Sequence, residues 1–126
     1  MLQQSPMYAY VPVKDLSRAR KFYEGTLGFR PMEENNGGVM YQSGNGTAFF
    51  LYPSGGAGTN QASTAFWKVD NLDAEMSALR SKGVKFEDYD MPGVKTENGV
   101  AIGGGAKAAW FKDSEGNIMA VIQPMK

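Results

Sequence analysis

The sequence predicts an α+β fold made of two tandem βαβββ modules, on three observations. A strand–helix–glycine pattern over residues 8–29 returns over residues 64–86, with Val13-Lys14-Asp15-Leu16 matching Val69-Asp70-Asn71-Leu72 and Leu27-Gly28-Phe29 matching Lys82-Gly83-Val84. A repeat of about half the chain, occurring twice, exceeds solenoid periods and points to one domain of paired halves. A Gly/Ser-rich uncharged stretch at 53–62 (PSGGAGTNQA) lies between the copies as a natural connector. Short alternating apolar runs separated by glycine turns follow each helix. The expected organisation is a single domain over 1–126, with module 1 at 7–53, the connector at 53–62 and module 2 at 63–124.

Each element has a local reason. Residues 7–13 alternate as a strand, and Pro12, which donates no ladder hydrogen bond, places that strand at an edge or near its end. Asp15 is an N-cap for a helix to about residue 26, with Leu16, Ala19, Phe22 or Tyr23, and Leu27 as its apolar stripe. Gly28 supplies the left-handed stop. A strand is expected to open at 29–32, followed by a turn at 35–38, a strand at 39–42, the Asn45-Gly46 turn and a strand at 47–52. In module 2 the strand is 63–69 and Asn71 is the cap. Leu72, Met76 and Leu79 face inward, and Gly83 is the stop. Residues 84–86 are expected to open the next strand. Residues 90–105 are irregular and glycine-rich, and 106–112 and 118–123 are the closing strands around Asp113-Ser114-Glu115-Gly116-Asn117.

Composition excludes several functions. Lys+Arg and Asp+Glu are both 13, so the net charge is +0, and nucleic-acid binding, which depends on a basic field, is not expected. There is no Cys, hence no disulfide, thiol nucleophile or thiolate metal site. No apolar run reaches membrane length, and the first residues lack a basic stretch followed by an apolar one, so the expected location is cytoplasmic. Ile102-Gly103-Gly104-Gly105-Ala106-Lys107 lacks both the Gly-Lys-Ser/Thr ending and the following helix of a phosphate loop, and reads as a turn or bulge. The acids Glu33-Glu34 and Glu87-Asp88 read as solvated strand ends.

Val13-Lys14-Asp15-Leu16, Phe22-Tyr23-Glu24, Leu27-Gly28-Phe29 and Phe111-Lys112-Asp113-Ser114-Glu115-Gly116-Asn117-Ile118, in this order and spacing, resemble the vicinal oxygen chelate family of glyoxalases, bleomycin-resistance proteins and ring-cleaving dioxygenases. The resemblance implies curved mixed sheets around a concave pocket, and a homodimer. It also implies a divalent metal held by His and Glu. Here the corresponding positions carry Tyr8, Thr64 and Ala120, the fourth falls near Phe49 or Leu51, and the chain has no His. Such a metal needs three or four N, O or S donors on one point, so neither a metal site nor a cofactor is expected.

The expected pocket lining is Tyr8, Tyr10, Phe49, Leu51, Thr64, Phe66, Trp110, Ile118, Ala120 and Ile122, an apolar and aromatic surface of the kind small-ligand pockets use. Lys68, on the Thr64 and Phe66 face, is either a solvated strand-end lysine or a contact for an anionic ligand group. The same aromatics serve equally as closed core or dimer interface, whereas Phe22, Tyr23 and Trp67 are assigned to the core. Three functions follow: a metal-free small-molecule binder for an aromatic or amphipathic ligand, an unorthodox lyase or isomerase working through Tyr8, Tyr10 or Lys68 with no catalytic residue assigned, and a non-catalytic interaction subunit.

Overall fold

The Asp15 carboxylate accepts the Arg18 N–H at 3.0 Å and caps helix α1 (Leu16–Arg20), as the sequence predicts. The helix continues through a wider π-type turn (Lys21–Thr26). It stops at Gly28 (φ +83°), where the Phe29 N–H returns to the Tyr23 carbonyl. The computed structural model describes residues 1–125. Ahead of α1 lies strand β1 (Ala9–Val13), and after it come β2 (Pro31–Asn35), β3 (Gly38–Gln42) and β4 (Ala48–Pro53). Their sheet order is β1-β4-β3-β2, with β1 parallel to β4, and Pro12 lies on an edge strand as expected.

The second module repeats this plan. Strand β5 (Ser63–Lys68) leads to helix α2 (Leu72–Ser81), where the Asn71 side chain accepts the Ala74 N–H at 3.0 Å. A small hairpin, β6 (Asp90–Met91) and β7 (Val94–Lys95), precedes β8 (Ala101–Gly103), β9 (Ala106–Lys112) and β10 (Ile118–Pro124). The sheet order β5-β10-β9-β8, with β5 parallel to β10, mirrors the first sheet. The fold is therefore α+β with two four-stranded mixed sheets.

Two expected strand starts differ. Phe29 lies outside any strand, and β2 begins at Pro31, because Phe29 turns inward to pack on Phe49 and Trp67. Residues 84–86 form no ladder beyond one bridge from Phe86 to Phe111; the strand that takes the β2-like position is β8. The Gly103-Gly104-Gly105 run is the β8–β9 turn, with Gly104 and Gly105 at positive φ.

The helix sides of the two sheets carry separate buried clusters, one around Val11, Tyr23, Tyr41 and Leu51, the other around Leu72, Met76, Phe111 and Val121. Phe22, Leu27 and Trp67 pack against both. A chain of aromatic contacts runs from Tyr41 through Phe49, Phe29 and Trp67 to Phe111, with centroid separations of 5.2, 5.1, 5.8 and 6.2 Å. Each such pair adds roughly 0.5–1.5 kcal/mol beyond its burial, so the modules share one aromatic spine.

The polar link between modules is the β9–β10 turn. Glu115, its side chain fully buried, accepts hydrogen bonds from the backbone N–H groups of Lys14 and Asp15 at 2.9 and 2.8 Å, and from Arg18 at 2.8 and 2.9 Å. Asp113 accepts the Tyr23 hydroxyl at 2.6 Å and the N–H groups of Glu115 and Asn117 at 2.9 Å each. Asn117 donates to the Pro12 carbonyl at 2.8 Å and accepts the Gly58 N–H at 3.1 Å. Module 2 thereby caps the β1–α1 junction of module 1 and holds the connector. Gly58 (φ +74°) lies so close that a Cβ there would sit 2.5 Å from the Glu115 carbonyl oxygen.

The Arg18 hydrogen bonds, with those from Asp15 N–H and Ser114, outweigh burial and lower the Glu115 pKa to about 2. A carboxylate depressed in the folded state binds protons more readily when unfolded. Its stabilisation is thus complete above the ordinary value of 4.5 and disappears as pH falls toward about 2. Glu115→Ala should cost about 2 kcal/mol at pH 7, less than a fully buried pair because Arg18 is half in water. In urea titrations from pH 7 to 2, the gap between native protein and variant should narrow below pH 4.5; a pH-independent gap would contradict the charged role. Gly58→Ala should lower the urea midpoint as well, by about 1–3 kcal/mol equivalent, since it adds both backbone strain and a clash with Glu115.

Candidate functional site

Strand alternation sends Val11, Val13, Phe49, Leu51, Val39 and Tyr41 to the helix side and leaves the other face of the first sheet open. On that open face Tyr10 lies 4.0 Å from Tyr52 and 5.9 Å from Phe50, centroid to centroid, and is 66% exposed. Tyr8, just before β1, is 44% exposed. The placement differs from the expectation that set Phe49 and Leu51 beside Tyr10 on one face. Both are buried in the first core cluster, Leu51 completely, and their neighbours Phe50 and Tyr52 take the open face instead. One residue of register along β4 inverts every side chain, and apolar character alone could not choose between Phe49 and Phe50.

The second sheet has an equivalent face. Phe66 is 60% exposed and lies opposite Ala120, which in turn lies opposite Trp110 on β9. Ile122 lies opposite Lys68. Trp110 donates its indole N–H to the Ser63 hydroxyl at 3.1 Å and meets Tyr89 edge-on at 5.6 Å. Thr64 and Ile118 are half-buried at the start of β5 and β10, where a bulge shifts the register between Ile118 and Met119. Ala65 and Trp67 turn toward the helix, as expected from alternation.

The register also resolves the fourth metal-ligand position. Tyr10 pairs with Phe50 as Phe66 pairs with Ala120, so the two-fold repeat makes Phe50 the counterpart of Ala120. The four positions are then Tyr8, Phe50, Thr64 and Ala120, a phenol, a hydroxyl and two side chains without donor atoms. Among the described residues no group of three or more His, Cys, Asp or Glu is placed to hold a metal ion. These residues do not fit the metal that the fold's enzymes use.

A partly open cavity lies elsewhere, at the seam between the sheets. Its volume is about 410 Å³, and it is walled by Ala9, Val11 and Phe49 of the first sheet and Ala65, Trp67 and Met119 of the second. Of the expected pocket residues Phe49, Phe66 and Lys68 line it; Tyr8, Tyr10, Leu51, Thr64, Trp110, Ile118, Ala120 and Ile122 do not. The β3–β4 turn closes it with Ser43, Asn45 and Thr47, a contribution that the sequence reading missed because that turn carried only hairpin signals.

Burial, then the charge of Glu87, raises the pKa of the Tyr89 phenol beside Trp110, whereas the strongly displaced phenols Tyr23 and Tyr41 lie apart from both surfaces. Burial, then the charge of Asp113, pushes the Tyr23 phenol far up, and burial with the Glu24 hydrogen bond does the same to Tyr41. Both phenols serve the core: Tyr23 bonds to Asp113, and Tyr41 donates to Glu24 at 2.7 Å. Of the adjacent acids read as strand-end charge, Glu34 pairs with Arg20 at 2.7 Å and Glu87 lies 3.8 Å from Lys112.

The family model for the Glyoxalase/Bleomycin resistance protein/Dioxygenase superfamily matches residues 6–121. The chain belongs to this superfamily. Among solved structures it is similar to TnmS3, an antibiotic binding protein from Streptomyces sp. CB03234, with 24% identity, TM-score 0.65 and 98% of both chains covered. It is similar also to a glyoxalase family protein from Enterococcus faecalis, with 15% identity, TM-score 0.72, and 97% of this chain and 99% of that one covered. A lactoylglutathione lyase from Agrobacterium tumefaciens matches at 15% identity and TM-score 0.68, covering 95% and 93%. At these identities the likeness is one of fold. The comparison with curated proteins finds no match. Proteins of this fold thus include one named a lactoylglutathione lyase and one named an antibiotic binding protein. No helix among the described residues is long and apolar enough to cross a membrane.

The donor set generates a direct expectation. After equilibration with excess zinc, nickel or manganese and desalting, elemental analysis should find well below one ion per chain, with no rise in Tm. A stoichiometric ion that raises Tm would overturn the reading of Tyr8, Phe50, Thr64 and Ala120.

Proposed function

We propose that the protein is a metal-independent binder of a small aromatic or amphipathic molecule, of the sequestering kind represented in the superfamily by antibiotic binding proteins. The observation that carries this reading is the replacement of donor atoms by apolar and aromatic surface at the ligand positions. Tyr10, Phe50 and Tyr52 on one sheet and Phe66 and Trp110 on the other expose ring faces and edges where a flat molecule can stack. Exposed apolar area of this kind on a sheet face marks a binding surface. Two copies of the chain complete the site, the open face of one first sheet opposing that of the partner's second sheet. The binder is placed in the cytoplasm.

Binding is favoured over metal-independent catalysis because the phenols that hydrogen-bond carboxylates, Tyr23 and Tyr41, belong to the core instead of the open faces. A general acid or base needs a partner group that tunes it.

Titration of the purified protein with flat polycyclic antibiotics, followed by calorimetry and by tryptophan emission, tests the proposal. Trp110→Phe should abolish most of the emission change, and Tyr10→Ala should weaken binding roughly tenfold, since each stacked ring contributes about 1 kcal/mol or more. Sedimentation should show a dimer. Binding unaffected by either substitution, or a monomer that binds with full affinity, would remove the proposed site.

A further inference from the structure

The seam cavity differs from the open sheet faces in chemistry as well as in place. Its walls combine helix-side residues of both sheets with Phe66 and Lys68 from the other face of β5, so it lies between the modules of one chain. Its volume of about 410 Å³ falls within the roughly 300–1,000 Å³ typical of small-molecule sites. Trp67 forms one wall, and its ring stacks on Phe29 and Phe111 at 5.8 and 6.2 Å with interplanar angles of 21° and 9°. The same indole also borders a cleft of about 230 Å³ between Leu27, Phe29 and Leu79.

Charge in this cavity comes from one residue. Lys68 is the sole ionisable lining side chain, and among the described residues it forms no salt bridge. It sits at the end of β5, exposed, where a lysine stem can border apolar walls while its charged head stays in water. The polar side chains of Ser43, Asn45 and Thr47 close the same space from the β3–β4 turn. Asn45 is held there at φ +55°. Asp70 and Glu75 share an adjoining shallow groove with Lys68 but do not line the cavity.

Apolar walls, a flat indole, hydrogen-bonding rim groups and a single cation define the complement of a small amphipathic anion. We propose that the seam cavity is a second site, at the junction between the modules, for a monoanionic molecule with a flat apolar body, such as an aromatic carboxylate. The body lies against Trp67 between Ala9 and Ala65, and the carboxylate meets Lys68 and the Ser43–Thr47 turn. The site is complete within one chain and does not depend on the metal-free sheet-face site or on dimerisation.

The two tryptophans of the chain, Trp67 and Trp110, report on the two places separately. Protein labelled with 5-fluorotryptophan gives one fluorine NMR resonance for each, assigned with Trp67→Phe and Trp110→Phe. Titration with 2-naphthoate should move the Trp67 resonance saturably while that of Trp110 stays in place. The neutral isostere 2-naphthamide should bind about tenfold more weakly, as expected for loss of a charge-assisted contact. Lys68→Met, at an exposed position compatible with folding, should reduce naphthoate affinity to that of the amide. Movement of Trp110 alone would support the sheet-face site and overturn this one. No movement of Trp67, equal affinity for naphthoate and naphthamide, or naphthoate binding unchanged in Lys68→Met would overturn it too.

Discussion

Glu115 is the group on which the module arrangement depends. It belongs to the second module by sequence, yet four of its hydrogen bonds go to Lys14, Asp15 and Arg18 at the first module's strand–helix junction. The first N–H groups of a helix and the residues just before it lack intrahelical partners, and here a carboxylate from about a hundred residues away supplies acceptors. Asp113 and Asn117 extend the link to Tyr23, Pro12 and the connector at Gly58. The acidic β9–β10 turn is thus among the most buried polar parts of the molecule.

That link sets where the cavities occur. With the β9–β10 turn bound to the β1–α1 junction, the aromatic spine from Tyr41 to Phe111 closes the helix side of both sheets. The edge strands β1 and β5 belong to separate sheets, and residues of both, including the small Ala9 and Ala65, border the space between them. That space is the seam cavity. The opposite faces of the sheets carry Tyr10, Phe50, Phe66 and Trp110 into the open.

Proteins that share this fold carry names as different as a lyase and an antibiotic binding protein, so fold alone does not set function and the side chains at the site must. Here those positions favour contact area over coordination. Tyr8, Phe50, Thr64 and Ala120 offer rings, a methyl and hydroxyls, which suit a ligand recognised by shape and stacking. The two proposed sites would differ in what they select: the sheet faces flat surface, the seam one negative charge.

The sequence by itself determined the local elements and the repeat. Asp15 and Asn71 cap helices because a short side-chain oxygen before an amphipathic run has a free N–H to accept, and Gly28 and Gly83 end them because glycine enters positive φ without strain. The missing metal donors were equally legible, since residue identity alone shows which side chains carry donor atoms. Tertiary structure decided the rest. Phe49 and Phe50 are chemically identical, so only the pairing of β4 with β1 and β3 could place one in the core and the other on the open face. Phe29 left its expected strand because an aromatic gap between modules held it more favourably than a ladder. The partners of Glu115 and the seam cavity depend on contacts between residues far apart in the chain, which local periodicity does not encode.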